Sequence, residues 1–166
     1  MELQETPSET VDGIDPGHCR ARVLFVCYGN SFRSQIAEAF AHHHGMGYLQ
    51  AFSAGMNASA QVSRRARRTM GERGVPLPLG VKTKGLSKFD LSSFDLIVNL
   101  TRLSLPATDA PSIQIETPDV RGADDEAIRD IRDELEESVL NIISALGPAP
   151  SFRPILLYRG AASHLG

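Results

Sequence analysis

The sequence has few of the features that mark a secreted, membrane-bound or nucleic-acid-binding protein. Its 166 residues include two cysteines and no tryptophan, and the formal net charge is −3. Two cysteines cannot form a disulfide framework, and so small a net charge gives no global attraction to nucleic acid or to an anionic membrane. The N-terminus lacks the basic and apolar regions of a signal peptide, and no apolar run is long enough to cross a bilayer. We therefore expect a cytoplasmic protein with no nucleic-acid or membrane partner.

Both ends of the chain lack the pattern of a packed core. The acidic side chains of the first segment are Glu2, Glu5, Glu9, Asp12 and Asp15, and no lysine or arginine lies among them. Such a composition is typical of a disordered tail. Gly147-Pro148 is a helix stop signal, and the residues after it are predicted to form a second tail. We therefore predict one α/β domain over residues 21–147, between an acidic, disordered tail over 1–20 and a C-terminal tail over 148–166.

A buried strand, a short loop and an amphipathic helix follow one another near the start of this domain. Val23–Val26 is a continuous apolar run, typical of a strand buried on both faces of a parallel sheet, and Cys27 ends it. From Arg33 onward the apolar residues recur at helical spacing, which places Gln35 and Glu38 off the buried stripe. The loop between strand and helix consists of Tyr28, Gly29, Asn30, Ser31 and Phe32.

This arrangement predicts a nucleophile in an oxyanion site. A short loop from the carboxyl end of a strand into a helix directs several backbone N–H groups into one concavity, where the helix dipole favours an anion. The N–H groups and the charge of Arg33 would stabilise a thiolate at Cys27 and make it a nucleophile. The Arg33 guanidinium can bind two oxygens of a tetrahedral oxyanion. Asn30 can hydrogen-bond across the loop, and Ser34 can donate its hydroxyl to the sulfur.

The segment CYGNSFRSQIAE, which starts at Cys27, resembles the phosphate-binding loop of the low-molecular-weight protein tyrosine phosphatase superfamily. That superfamily also contains the thioredoxin-coupled arsenate reductases. Its phosphatases typically read C-x-G-N-x-C-R-S followed by Pro, whereas its reductases often have S-Q in place of S-P. The chain shares Gly29-Asn30 with the phosphatases and Ser34-Gln35 with the reductases. The motif therefore does not separate the two activities.

Strands and helices alternate along the rest of the predicted domain. We predict strands at 48–54, 94–100 and 112–116, helices within 61–74 and 123–146, and a loop with one short helical turn over 80–93. This order predicts a three-layer α/β/α domain around a parallel sheet. The resemblance further implies four strands in the order 2-1-3-4.

The resemblance also implies roles for residues outside the loop. Asp119 follows the fourth predicted strand and so lies at the same edge of the sheet as Cys27. The phosphatases carry an Asp-Pro pair at this point, whose Asp protonates the leaving group, and Val120 replaces the Pro here. In the family, the loop after the second strand closes one wall of the pocket, which here gives Ser53 and Met56. We expect neither a cofactor nor a metal.

Cysteine content bears on the choice of activity. The reductases of the superfamily carry resolving cysteines after the third strand, whereas no cysteine follows Cys27 in this chain. We therefore predict a phosphomonoester hydrolase that forms a phosphocysteine intermediate on Cys27 and uses Arg33 and Asp119. Its substrate would be a phosphorylated protein or a small phosphomonoester. The alternatives are an arsenate reductase that uses an external thiol and a non-catalytic module that binds an oxyanion or a phosphoprotein.

Two clusters of basic residues each have two interpretations. Arg64, Arg65, Arg67 and Arg68 are predicted to give one helix a basic surface, which is either a solvated face or a docking site for an acidic or phosphorylated partner. The three histidines at 42–44 are adjacent, so their side chains point in different directions on a helix. We expect them to interact with the C-terminal end of the helix rather than with a metal.

Overall fold

The structure is a computed structural model that describes residues 20–147. The predictions for the two tails lie outside the described residues, and the limits of the domain stay a prediction. Four strands form one sheet: β1 (Ala21–Cys27), β2 (Leu49–Gly55), β3 (Leu96–Asn99) and β4 (Ser112–Gln114). All pairings are parallel and the order is β2-β1-β3-β4, which confirms the predicted topology.

Three helices accompany the sheet: α1 (Arg33–His44), α2 (Arg64–Arg73) and α3 (Asp125–Leu146). Gly74 ends α2 in the left-handed conformation, and the Asp124 carboxylate accepts a hydrogen bond from the third residue of the turn that opens α3. The loop before β3 contains two 3₁₀ turns, Leu86–Lys88 and Leu91–Ser93, where we predicted one. The second turn forms because Asp90 caps it through the N–H of Ser92.

The position of β1 at the centre of the sheet buries it on both faces. Val23, Phe25 and Cys27 face the main core, which the three helices cover. Leu24 and Val26 face a smaller core, which the two 3₁₀ turns and the segments beside them cover. The three predicted layers are therefore present, with 3₁₀ turns on the second face of the sheet. No helix among residues 20–147 is long and apolar enough to span a membrane.

Candidate active site

Cys27 ends β1, and its sulfur lies at the floor of the loop formed by residues 28–32, which we call the cradle loop. The residue is 3% exposed. Its Sγ lies 2.9 Å from Ser34 Oγ and accepts a hydrogen bond from the N–H of Asn30 at 3.2 Å. The sulfur thus lies against one backbone donor and one hydroxyl group at the floor of the cradle loop.

Asn30 shapes the cradle loop from inside. It is fully buried and has a φ of 51°, in the left-handed region that asparagine tolerates better than most residues. Its Nδ2 donates to Ser34 Oγ at 2.8 Å, and its Oδ1 accepts from Gln35 Nε2 at 3.0 Å and from the N–H of Lys84 at 2.8 Å. Because Ser34 Oγ accepts from Asn30, its own hydrogen is free to point at the sulfur of Cys27.

The prediction that Gln35 lies off the buried face of α1 is wrong. Gln35 is 2% exposed, and besides Asn30 its Nε2 also contacts the carbonyl of Lys82 at 3.1 Å. A buried amide is tolerated because these partners satisfy it. The hydrophobic pattern of α1 missed this position because the partners come from the cradle loop and from a segment distant in sequence.

The connection between β2 and α2 supports the backbone of the cradle. Carbonyls of Cys27, Tyr28, Gly29 and Ser31 accept hydrogen bonds from the N–H groups of Met56, Asn57, Ser59 and Ser63, at distances of 2.8–3.0 Å. On the inner side of the same loop, the N–H of Asn30 points at the sulfur. The cradle is therefore held in shape without a ligand.

Arg33 opens α1 and reaches across the carboxyl edge of the sheet. Its Nη1 donates to the carbonyl of Leu100 at 3.0 Å and to Thr117 Oγ1 at 3.3 Å. Leu100 follows β3, and its N–H is bonded to the carbonyl of Val26, so the guanidinium lies beside the end of β1. A guanidinium has five N–H donors, and within residues 20–147 these contacts use only Nη1. The remaining donors can bind an oxyanion at Cys27.

Asp119 is exposed and bound to its neighbour. Its Oδ1 accepts from the N–H of Arg121 at 2.9 Å, and its Oδ2 accepts from Arg121 Nε at 2.9 Å and Nη2 at 2.8 Å. These hydrogen bonds, chiefly those of the side chain, hold the pKa of Asp119 below its usual value, and the charge of Arg33 adds a smaller effect. In this arrangement the carboxyl group is ionised at neutral pH. Its role as a proton donor stays a prediction.

The loop that carries Asp119 is fastened to the basic helix. Arg65 donates to the carbonyls of Val120, at 3.3 Å, and Ala123. Val120 in place of the proline therefore leaves a loop that is held from outside by α2. Arg67 likewise binds the carbonyls of Pro78 and Val81. Arg68 pairs with Asp125, so three of the four arginines in this cluster have partners within residues 20–147.

The two residues predicted for the pocket wall lie in different places. Ser53 is fully buried, and its hydroxyl donates to Glu38 of α1, because alternation along β2 directs this side chain to the α1 face of the sheet. Ser53 thus lies behind the cradle and does not form its surface. Met56 is half-buried against the smaller core, directly beside the carbonyl of Cys27 that its N–H binds.

Glu38 is the centre of a charged cluster behind the cradle. It lies 3.6 Å from His42 Nε2 and 3.8 Å from Lys84 Nζ, in addition to its bond from Ser53. Burial acts to raise the pKa of Glu38, but hydrogen bonds from His42 and Ser53 and the charge of Lys84 outweigh it, and the pKa is lowered. The same hydrogen bond raises the pKa of His42. The cluster holds Lys84, whose N–H fixes Asn30.

We expect Glu38→Gln to lower the melting temperature most between about pH 4.5 and 6.5, the ordinary pKa values of the two groups. His42 has a raised pKa, so its contribution is present in the protonated form and is lost as pH rises through that pKa. Glu38 has a lowered pKa, so its contribution is lost as pH falls through it. A difference from wild type of roughly 2–4 °C in this window should shrink towards about pH 8. Melting curves across this range test this, and a difference that does not vary with pH would contradict it.

Sequence reasoning did not identify three residues that support the site. Gln35 and Lys84 hold Asn30, and Thr117 contacts Arg33. Thr117 had a usable signal, since it stands two residues before Asp119 and directly after the fourth predicted strand. Lys84 had none, because its contact is made by the backbone. Among residues 20–147, no group of three or more His, Cys, Asp or Glu is arranged to hold a metal ion.

Comparison with known proteins identifies a family model and individual proteins that are similar to this chain. Residues 22–109 match the model of the family described as low molecular weight phosphotyrosine protein phosphatase. A protein of Synechocystis named glutaredoxin arsenate reductase is 31% identical over 132 residues, which cover 75% of this chain and 98% of that protein.

Solved structures give the same picture. A structure described as an arsenate reductase in the phosphate binding state matches this chain with a TM-score of 0.70 and 28% sequence identity. The match covers 76% of this chain and 99% of that chain. An arsenate reductase from Archaeoglobus fulgidus matches with a TM-score of 0.66 and 30% sequence identity. This match covers 74% of this chain and 98% of that chain.

Proposed function

The chain belongs to the low molecular weight phosphotyrosine protein phosphatase family, and from this premise we propose that it is an arsenate reductase that takes its electrons from an external thiol. The choice between the two activities of the superfamily depends on whether the Asp119 carboxyl group can donate a proton. A phosphatase needs a protonated carboxyl group for the leaving alcohol, whereas this carboxyl is exposed, bound to Arg121 and low in pKa. Arsenate near neutral pH carries protons on its own oxygens and can lose one oxygen as water. The similar proteins named arsenate reductases support the same choice.

In the first step, the Cys27 thiolate attacks the arsenic atom of arsenate. A sulfur–arsenic bond forms, one arsenic–oxygen bond breaks, and that oxygen leaves as water. The N–H groups of the cradle loop and the free donors of Arg33 bind the remaining oxygens and stabilise their charge. Ser34 and Asn30, which hold the thiolate before attack, keep the sulfur aimed at the centre of the cradle.

In the second step, an external thiolate attacks the sulfur of Cys27. The electron pair of the sulfur–arsenic bond passes to arsenic, which leaves as arsenite, and Cys27 forms a mixed disulfide with the external thiol. A second external thiolate attacks this disulfide and restores the Cys27 thiolate. Two thiols are oxidised to one disulfide while As(V) is reduced to As(III), so the electrons balance.

The mechanism takes its electrons from outside because the sequence has only one other cysteine and none after Cys27. Its second cysteine is Cys19, which lies outside the described residues. The strand between the two cysteines is observed: β1 runs from Ala21 to Cys27 and spans about 20 Å. A disulfide needs α-carbons within about 7 Å. A relay inside one chain is therefore excluded unless β1 leaves the sheet.

Phosphomonoester hydrolysis is the second candidate, and the contact between Arg33 and Thr117 favours it. Thr117 is two residues from Asp119, so an oxyanion that moves Arg33 would also shift the loop that carries the acid. A bound phosphate dianion would moreover raise the pKa of a nearby carboxyl group. Under this mechanism water hydrolyses a phosphocysteine on Cys27.

One preparation of wild-type protein tests both activities. We expect arsenate-dependent oxidation of a low-molecular-weight thiol, at a ratio of two thiols to one arsenite, and much slower hydrolysis of p-nitrophenyl phosphate. Hydrolysis of p-nitrophenyl phosphate by folded protein that does not reduce arsenate with any thiol would overturn the proposal and establish the phosphatase.

Asp119→Ala separates the two candidates further. We expect this change to slow arsenate reduction by less than about threefold, because the substrate supplies its own proton. If the protein acts as a phosphatase through this acid, the same change should slow hydrolysis of p-nitrophenyl phosphate by about a hundredfold or more. Steady-state rates between about pH 5 and 8 give the comparison. A hundredfold loss in arsenate reduction would contradict the expectation and make Asp119 an acid in that reaction.

A further inference from the structure

Three segments border the opening of the cradle, which we call the mouth. The first is the cradle loop itself. The N–H of Ser63, which caps α2, donates to the carbonyl of Ser31 at 2.9 Å, so the first turn of α2 lies beside this loop. Arg65 in that turn donates to the carbonyl of Val120 at 3.3 Å, which holds the loop of Val120 against the same turn. The mouth is thus formed by residues 28–32, 63–65 and 119–123.

Positive charge predominates at the mouth. Arg64 is exposed and has no hydrogen bond or ion pair within residues 20–147. Arg121 is exposed and pairs with Asp119, which is the one acidic residue of the three segments. The charge of Arg33 reaches this pair, since it adds to the lowered pKa of Asp119, whose main cause is the hydrogen bonding from Arg121. Such a surface attracts carboxylates as well as a tetrahedral oxyanion.

The N-terminal segment, residues 1–17, has the opposite charge. It contains no lysine or arginine, and its acidic residues are Glu2, Glu5, Glu9, Asp12 and Asp15. The segment leads to Ala21, where β1 begins, whereas the mouth lies at the Cys27 end of this strand, about 20 Å away. Because β1 is buried on both faces, a chain between these two points passes around the layers that cover the sheet. Its path is therefore longer than the strand.

Chain length decides which of these carboxylates can reach the mouth. An extended chain spans about 3.3 Å per residue. Asp15 stands six residues before Ala21, so it reaches about 20 Å and falls short of the mouth. Asp12 reaches about 30 Å, and the three glutamates reach further. A connection of this length gives each of these four carboxylates an effective concentration on the order of millimolar at the mouth.

We propose that the N-terminal segment of this chain docks across the mouth and competes with the oxyanion substrate. Its carboxylates pair with Arg64, with Arg121 and with the free donors of Arg33. Exposed ion pairs are individually weak, so the segment is displaced as the substrate concentration rises. The inference rests on the proposed function only through the oxyanion site, which the reductase and the phosphatase share.

Neutralisation of the four reaching carboxylates in the full-length chain tests the competition. In about 50 mM salt we expect the KM for arsenate to fall about fivefold while kcat stays as in wild type. The variant combines Glu2→Gln, Glu5→Gln, Glu9→Gln and Asp12→Asn. Asp15→Asn, in the same segment but out of reach, should behave as wild type. A second control removes four exposed acids of α3, namely Glu126, Asp130, Glu134 and Glu137, and should leave the KM unchanged.

Arg64→Gln gives a result of opposite sign in the two backgrounds. Loss of a positive charge beside an anion site ordinarily weakens anion binding. In the wild-type background, however, it also loosens the segment, so the KM for arsenate should fall about two- to threefold. In the neutralised variant the same change should not lower the KM. The KM difference between wild type and the neutralised variant should disappear in about 1 M salt, where the Debye length is about 3 Å.

Binding without turnover gives an independent readout. In the Cys27→Ser background, calorimetric titration with phosphate should give about fivefold tighter binding when the four carboxylates are neutralised. If no thiol supports arsenate reduction, the proposed function fails, and this titration still decides whether the segment competes for the site. An unchanged affinity, or an equal change in the α3 control, would overturn the inference. A difference that grows with protein concentration would overturn it too, because the segment would then act between two copies of the chain.

Discussion

Cys27→Ser is expected to abolish arsenate reduction, with a fall in rate of at least about a thousandfold, while binding of the oxyanion is retained. The hydroxyl of serine is a far weaker nucleophile than a thiolate. Serine also cannot form the mixed disulfide through which the enzyme returns to its starting state. The donors that bind the oxyanion belong to the cradle loop and to Arg33, which the substitution leaves in place. Thiol oxidation assays measure turnover, and calorimetric titration with arsenate or phosphate measures binding.

Cys19→Ser is the matched control, since it removes the second sulfur of the chain. It should keep the full rate with an external thiol. If it lost activity as completely as Cys27→Ser, the reductant would have to include Cys19, and the mechanism with an external thiol alone would be wrong. A Cys27→Ser protein that still reduces arsenate would remove the nucleophilic mechanism altogether.

Gly55→Ala is expected to displace the backbone of the cradle loop, because the added Cβ has no room between β2 and that loop. A Cβ at this position would lie 2.8 Å from three backbone atoms of the cradle loop: the nitrogen of Asn30, the carbonyl carbon of Gly29 and the oxygen of Tyr28. Backbone atoms cannot rotate away as a side chain can, so β2 and the cradle loop must separate. Overpacking of this kind costs about 1–3 kcal/mol in the free energy of unfolding. Because the N–H of Asn30 is displaced with the loop, activity should fall more than stability alone would explain.

Gly71→Ala provides the comparison within the same chain. Gly71 lies inside α2, and a Cβ there would meet no atom within 4 Å. Replacement of glycine by alanine in a helix interior stabilises by about 0.5–1 kcal/mol. Urea denaturation and the arsenate assay, applied to both variants, distinguish the two outcomes. Wild-type activity in Gly55→Ala would mean that the cradle loop is not held as tightly as its contacts indicate.

The two candidate activities differ in what they require of the same residues. In either proposed mechanism, Cys27 attacks a tetrahedral oxyanion, and Arg33 and the cradle loop bind it. The phosphatase additionally needs a proton donor, whereas the reductase needs access for a second thiol. Asp119 is paired with Arg121. This observation favours the reductase.

Several elements could be predicted because their signals are local. The apolar run Val23–Val26, the five-residue loop and the helical spacing from Arg33 are contiguous in sequence, and each follows from backbone geometry and burial of apolar surface. Gly74 correctly predicted the end of α2. The position of Asp119 at the carboxyl edge of the sheet was predicted from its place after the fourth strand. The order of the strands came from the resemblance to a family rather than from the residues alone.

The sequence by itself determined the alternation of strands and helices, the place of Cys27 at the end of the first strand and the absence of a cysteine after it. Only the tertiary structure decided that Gln35 is buried, that Asp119 is ionised beside Arg121 and that Ser53 lies behind the cradle. The physical reason is distance along the chain. Periodicity and loop chemistry are properties of neighbouring residues, whereas the burial, charge and hydrogen bonds of a site depend on residues that only folding brings together. Lys84 shows this most clearly, because it holds the cradle through a backbone N–H from 54 positions away.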